Sequence, residues 1–341
     1  MKITVLCTLS TGLFSIRQAL NEGIKIYKVI GLNPNNFKDN KLFSGFVDIK
    51  YFCLENELSY TYVNDYTLKA EDSLKLLNET SLLWVCGWQR LVPESFYHRL
   101  EFGAIGAHGS CDGITLGRGR SPQNWALLIG AKKFEISVFR ISSGIDDGSV
   151  ISSNTFNLKL TDNIQTSYNK VGMRVAKCLT EIYNNPTLIE NAKPQKGLAE
   201  YFPRRIPSDG NIDWNMSVHE IHNQIRALAD PYPNARTFID GEQILVKRSN
   251  PILCSVDYRV GEIVSVPSKG ELLVAAKDGY LLIEEYKSNL NNNKLHQGRI
   301  LESKNMKMIV HKIFNRFERE HPNKKLNATL IKFWGNLGIE I

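Results

Sequence analysis

The sequence predicts an α/β protein, with a Rossmann-like, mostly parallel sheet in its N-terminal part and a smaller, β-rich, barrel-like domain behind it. Three observations carry this. Strand-like and helix-like segments alternate from the start, in the order that builds a parallel sheet. The segment NAKPQKGLAEYFPRRIPSDGNIDW is rich in Pro, Gly and polar residues, which marks a transition near 203–211. Beyond it the pattern becomes short strands with Gly at nearly every turn, the signature of a small barrel. At 341 residues the chain exceeds one ordinary domain. The expected divisions are 1–205 for the Rossmann-like domain, 206–302 for a linker helix plus barrel, and 303–341 for a basic, helical extension.

In chain order, KITVLC reads as a buried strand, LFSIRQALNEG as a helix closed by Gly23, and KIYKVIGLNP as a second strand. A small-residue loop with Ser10, Thr11 and Gly12 lies between the first strand and that helix, where a phosphate can be met. It lacks the glycine spacing of a dinucleotide fingerprint. Residues 46–51 and then 59–65 suggest a further short strand, and AEDSLKLLNETS a helix. SLLWVCGW is a strand ending at Gly87 and Trp88, and a helix with Pro93 in its first turn follows.

GAIGA is a short strand with His108 just past its end, and SPQNWALLIG is a helix. FEISVFRISSGIDDGSVISSNTFNLKL is an antiparallel pair with SGIDDG between its strands. NIQTSYNKVGMRVAKCLTEIYNN is a long amphipathic helix with Val171, Val175, Cys178, Leu179 and Ile182 on one face. SVHEIHNQIRALAD begins with Ser217 and has Glu220 three residues on, the capping-box pattern. SNLNNNK is an asparagine-rich loop tip.

Composition narrows the class. Hydrophobic content of 43% and charged content of 23% exclude a largely disordered chain. No apolar run approaches a membrane span and the first residues do not read as a signal peptide, so a cytoplasmic location is expected. Six cysteines with no CxxC pair indicate neither a zinc site nor a disulfide framework. His219 and His222 are three apart but lack a third ligand, and no metal is expected. The net charge of +7 suits an anionic partner. Much of it lies on the tail from Ser303, which also reads as a solvated helix face.

The chemistry concentrates in GAHGSCDGITLGRGRSPQNW, residues 106–125, and SSGIDDGS, residues 142–149. His108 near a strand end and Asp146 on a Gly-bounded loop form a candidate general base and its orienting partner. Arg118 and Arg120 suit anionic oxygens. Asn223, Arg226 and Asp230 share a face of the linker helix and read as a structural tie more than as substrate contacts.

Together HGS, RGRSPQNWAL, SGIDDGSVI, YFPRRIPSDGNIDW and HNQIRALADPYPNARTF resemble the folate-dependent formyltransferase family, over roughly residues 1–300. Within it the GRSPQNW form and the HNQIRALADPYP helix end are most similar to the sugar N-formyltransferases, and more distantly to the methionyl-tRNA formyltransferases. The resemblance implies 10-formyltetrahydrofolate as formyl donor, no metal, a nucleotide-linked amino sugar as acceptor, a role in surface-glycan biosynthesis and a homodimer, with no nucleic acid as partner. It assigns His108 and Asp146 to catalysis, and Cys86, Gly87, Trp88, Arg90, Leu91, Gly144, Ile145 and Asp147 to the folate. Ser10, Thr11, Gly12, Ser110, Arg118 and Arg120 are the candidates for the acceptor.

The family's Asn-x-His pattern is broken, because Gly106 stands where the Asn holds the formyl oxygen. Ser110, Gln89 and Asn124 are the candidate replacements. Two alternatives stand beside the leading reading: formylation of methionyl-tRNA, for which the charge speaks, and a catalytically impaired folate- or nucleotide-binding module, for which Gly106 speaks.

Overall fold

The computed structural model describes residues 1–36, 45–290 and 294–341. The middle of the asparagine-rich loop, Asn291 to Asn293, lies outside the described residues. The chain forms two compact units, one of Met1–Arg118, Lys133–Phe156 and Tyr168–Leu198, the other of Gly119–Lys132, Asn157–Ser167 and Ala199–Ile341.

The first unit begins with β1 (Ile3–Leu6), α1 (Ser10–Asn21), β2 (Ile26–Leu32), α2 (Lys50–Glu55), β3 (Tyr60–Val63), α3 (Glu71–Leu74), β4 (Leu82–Val85), α4 (Glu94–Tyr97) and β5 (Ala104–Ser110). α5 (Gly113–Leu116), β6 (Arg118–Gly119), α6 (Pro122–Leu128), β7 (Lys133–Arg140), β8 (Val150–Asn157), α7 (Ile164–Asn184) and α8 (Thr187–Glu190) follow in the chain, of which α6 and the start of α7 belong to the second unit. Its sheet has the order β3-β2-β1-β4-β5-β7-β8. The strands β3, β2, β1, β4 and β5 are parallel, and β7 returns antiparallel to β5.

This is the expected Rossmann-like arrangement, and its helices bury one face each. Leu13, Ile16 and Ala19 of α1 and Val175, Leu179 and Ile182 of α7 pack with Ile3, Val5 and Trp84 of the strands. Three local expectations change. Residues 50–55 are helical, because Asp48 Oδ1 accepts the Lys50 N–H at 3.0 Å and starts a turn there. The helix expected over 70–81 is a four-residue α3 closed by a 3₁₀ turn. β5 runs through His108 to Ser110, held by β7 through Ser110↔Glu135, so His108 lies inside a strand.

In the second unit, β9 (Glu200–Phe202) pairs with β15 (Lys325–Leu326), and α9 (Val218–Ala227) starts with the Ser217–Glu220 capping box. β10 (Ala235–Ile239), β11 (Glu242–Leu253), β12 (Ile263–Ser265), β13 (Leu272–Ala276) and β14 (Gly279–Ser288) form a sheet in the order β10-β11-β14-β13-β12. The segment 299–302 lies against both outer strands: Glu302 N–H donates to Phe238 O at 2.7 Å and Ile263 N–H to Arg299 O at 2.8 Å. Both outer strands thus gain a partner, which makes the domain barrel-like. Its core joins Trp214, Ile221 and Ile225 with Val246, Val274 and Ile283.

The tail holds α10 (Met306–Glu320) and α11 (Ala328–Asn336). It presents Lys307, Lys312, Arg319 and Lys332 to solvent, but Phe317, Leu330 and Trp334 are buried. No described helix is long and apolar enough to cross a membrane.

Candidate active site

The register of the parallel sheet puts the loop after β4 beside the last residues of β5. β4 and β5 pair through Val85↔Gly106, after which β4 gives way to the loop 86–91 while β5 continues through His108. Neighbouring parallel strands ending on one side are where open α/β sheets bind ligands.

His108 is half-buried between two oxygen acceptors. Its Nδ1 is 3.4 Å from Asp146 Oδ2, and its Nε2 is 2.8 Å from the Gly117 carbonyl oxygen. A carbonyl only accepts, so Nε2 is the donor in that bond. A ring protonated at both nitrogens can give a proton to each oxygen, whereas a neutral ring satisfies one. The His and Asp identified in the sequence are therefore in contact.

The loop that carries Asp146 is tightly made. Asp146 has φ +50°, a backbone region that Asp tolerates better than most residues. A Cβ on Gly148 would lie 1.6 Å from Arg140 O, so only glycine fits there. Ser142 Oγ donates to Asp147 Oδ1, turning that carboxylate back into the loop next to Gly144. Ile145 is half-buried beside it.

The residues expected to meet the folate fall as follows. Gly87 O accepts from both the N–H and the hydroxyl of Thr8, at 3.2 and 2.7 Å. Cys86 N–H donates to Leu6 O at 2.9 Å. Trp88 is buried edge-on against Tyr66, ring centroids 4.8 Å apart, and its indole Nε1 has no acceptor among the described residues. Arg90 lies over the same tyrosine ring at 5.6 Å, and Leu91 is 61% exposed. A buried donor without an acceptor, beside an exposed apolar side chain and a guanidinium, fits a flat heterocycle with ring acceptors and an acidic end, which is the chemistry of a folate.

Gly12 packs against Cys86, where a Cβ would come within 2.5 Å of the Cys86 carbonyl oxygen. The Ser10 N–H is taken by Gly45 O at 2.9 Å, and Thr11 O accepts from Ser15 Oγ at 3.1 Å. Burial pushes the thiols of Cys7 and Cys111 up to about 12, and that of Cys86 well above its ordinary value. None of the three offers a thiolate at neutral pH, which argues against covalent sulfur chemistry.

Of the candidate stand-ins for the missing Asn, Asn124 belongs to the second unit, where its Nδ2 donates to Ala227 O at 2.7 Å. Ser110 is fully buried and accepts from the Asp112 N–H at 3.1 Å, and Gln89 is exposed. Arg120 also belongs to the second unit, and its N–H donates to Phe202 O at 3.3 Å. Arg118 gives Nη2 and Nε to Gln195 Oε1, at 2.7 and 3.3 Å.

Sequence reasoning overlooked Gln195 and the Gly117 carbonyl. Gln195 sat in a stretch read only as a domain transition, and no periodicity or spacing marks a single carboxamide.

A half-buried His beside an Asp at the carboxyl side of a mostly parallel sheet is an arrangement that can take up and pass on a proton in a Rossmann-like protein. Residues 205–306 match the family model described as formyl transferase, C-terminal domain. Over 258 residues the chain is 27% identical to the bifunctional polymyxin resistance protein ArnA of Wigglesworthia glossinidia brevipalpis, which covers 73% of this chain and 38% of ArnA. Over 296 residues it is 26% identical to the methionyl-tRNA formyltransferase of Ruminiclostridium cellulolyticum, 84% of this chain and 91% of that protein.

Among solved structures, HypX from Aquifex aeolicus in complex with tetrahydrofolic acid shares the fold with a TM-score of 0.60 at 16% identity, over 96% of this chain and 48% of HypX. The N-formyltransferase from Helicobacter canadensis, in complex with folinic acid and dTDP-3-aminofucose, shares it with a TM-score of 0.55 at 15% identity, over 84% of this chain and 100% of that one. The chain thus spans 38% of ArnA and about half of HypX. Motifs, family model and relatives all point to the folate-dependent formyltransferases, and residues 205–306 match their C-terminal domain.

Proposed function

We propose that this chain is an N-formyltransferase that moves the formyl group of 10-formyltetrahydrofolate to the primary amine of a nucleotide-linked deoxyamino sugar, in surface-glycan biosynthesis. The observation that carries the reading is His108, with Asp146 at one ring nitrogen and the Gly117 carbonyl at the other. The bound folate would supply the formyl carbon, with N10 as leaving group. The amine nitrogen forms a bond to that carbon, the bond from carbon to N10 breaks, and the amine proton passes to His108 and on to N10. Asp146 stabilises the charged ring during that passage. Nε2 can accept the proton only after its bond to Gly117 O gives way, so the segment ending at Gly117 shifts when substrates bind. Trp88 Nε1, Arg90 and the loop 144–148 would hold the folate.

The reading is tested by incubating the protein with 10-formyltetrahydrofolate and dTDP-, UDP- and GDP-linked amino sugars, then reading the mass of one added formyl group. Product that disappears in His108→Gln and Asp146→Asn supports it. No product with any sugar sinks it. Formylation of methionyl-tRNA is the second reading, favoured by the net charge of +7 and by the relative matched over 91% of its length. Product with methionyl-tRNA in the same assay would select it. Folate binding with no transfer to either acceptor would leave a binding module.

A further inference from the structure

We propose that Gln195 is a positioning residue for formyl transfer, joining through one carboxamide the two segments that flank His108. Its Nε2 donates to Asp146 O at 2.7 Å and to Gly148 O at 2.9 Å. Its Oε1 accepts from Arg118 Nη2 at 2.7 Å and from Thr115 Oγ1 at 3.1 Å. The amide hydrogens hold the loop whose carboxylate faces Nδ1, and the amide oxygen holds the segment whose Gly117 carbonyl faces Nε2. Every strong hydrogen-bonding position of the side chain is in use.

The anchor is itself fixed. Two residues earlier, Lys193 and Val150 exchange both backbone hydrogen bonds at 2.8 Å, which ties Gln195 to the first residue of β8. Asp146 keeps its positive φ within a loop whose ends meet through Arg140 N–H and Ser149 O at 2.9 Å. The two bonds from Gln195 reach the middle of that loop. Without them, Asp146 has a contact of only 3.4 Å to keep it on His108. Gln195 touches no reacting atom and acts through Asp146.

The inference rests on the reading that His108 and Asp146 carry the chemistry. Its test is steady-state kinetics on the full chain with 10-formyltetrahydrofolate and the acceptor that the wild type uses. Gln195→Ala, and Gln195→Glu, which sets an oxygen against two carbonyl oxygens, should each lower kcat about 10- to 100-fold with both KM values changed less than about threefold. In an Asp146→Asn background, Gln195→Ala should lower kcat less than about threefold further, because the route through Asp146 is already lost. A full multiplicative loss in that background, or a kcat in Gln195→Ala within about threefold of wild type, overturns the proposal. Thermal melting identifies a variant that fails to fold, and the other of the two Gln195 variants then decides by the same kcat criterion.

If the wild type transfers formyl to no acceptor, the proposed function fails and Gln195 is judged on structure alone. In that case a crystal structure of Gln195→Glu with Asp146 still 3.4 Å from His108 refutes the tie, and a displaced Asp146 upholds it.

Discussion

A Cβ added to Gly106 would come to rest 3.4 Å from Cδ1 of Ile141, an ordinary van der Waals distance, in a strand whose φ there is not positive. Neither crowding nor backbone strain therefore demands glycine at this position. Gly106→Asn should fold with a melting temperature close to that of the wild type. Restoring a side-chain donor for the oxyanion should raise kcat by about tenfold or more. The assay is formyl transfer by the purified variant. An unchanged or lower kcat in a folded variant would mean that another donor already serves the formyl oxygen.

Trp88 Nε1 is a donor already stripped of water and given no acceptor among the described residues in return. Trp88→Phe removes that donor and keeps an aromatic ring against Tyr66. We expect stability within about 1 kcal/mol of wild type and affinity for 5-formyltetrahydrofolate weakened by up to about tenfold. Calorimetric titration beside a melting curve separates the two effects, and unchanged affinity would exclude the indole from the folate site.

Asp209 sits 2.5 Å from Arg316 Nη2, both buried, and its charge also acts on the half-buried Arg205. Burial lowers Arg205 to about 10, and Asp209 acts against that shift. Asp209→Ala would leave buried guanidinium charge uncompensated. It should cost about 3–5 kcal/mol, read from urea unfolding of the full chain. Replacing Arg316 by Met in the same protein should recover part of the loss.

His222 is buried, with Nε2 donating to Leu160 O at 3.2 Å and Nδ1 accepting from Ser249 Oγ at 3.1 Å. Burial lowers its pKa below the ordinary 6.5, so the folded state prefers the neutral ring and the unfolded state takes up the proton first. Stability is therefore complete above about pH 6.5 and declines as the pH falls from there towards the lower folded value. Unfolding free energies measured from pH 8 to pH 5 should show that decline in the wild type and a smaller one in His222→Gln. Equal slopes would rule out His222 as the source.

Much of this was legible beforehand, for identifiable reasons. The alternation of KITVLC, LFSIRQALNEG and KIYKVIGLNP is a local periodicity that parallel sheets require. The Ser217–Glu220 box is a contact between residues three apart. His108 and Asp146 were visible because glycines and small residues frame them in recurrent motifs. The rest depends on long-range contacts that leave no local trace. Gln195 meets Asp146 across 49 residues. Asn124 offers a free carboxamide on paper and spends its donor on Ala227. The tail reads as a charged face because its exposed lysines dominate the pattern, while Trp334 packs edge-on to Trp125 at 6.1 Å.

The same tail has a consequence for the order of assembly. The second unit gathers residues from Gly119 onward, yet the outer edges of its end strands meet a partner only at 299–302, and Trp125 meets Trp334 more than two hundred residues downstream. Joining pieces so distant in sequence is slow, since a long loop must close before any contact repays it. The first unit is drawn wholly from residues up to Leu198. Folding should therefore run in two stages, with the sheet that bears His108 formed while Trp125 still awaits its cover, and the early intermediate should expose the apolar residues that the tail later hides.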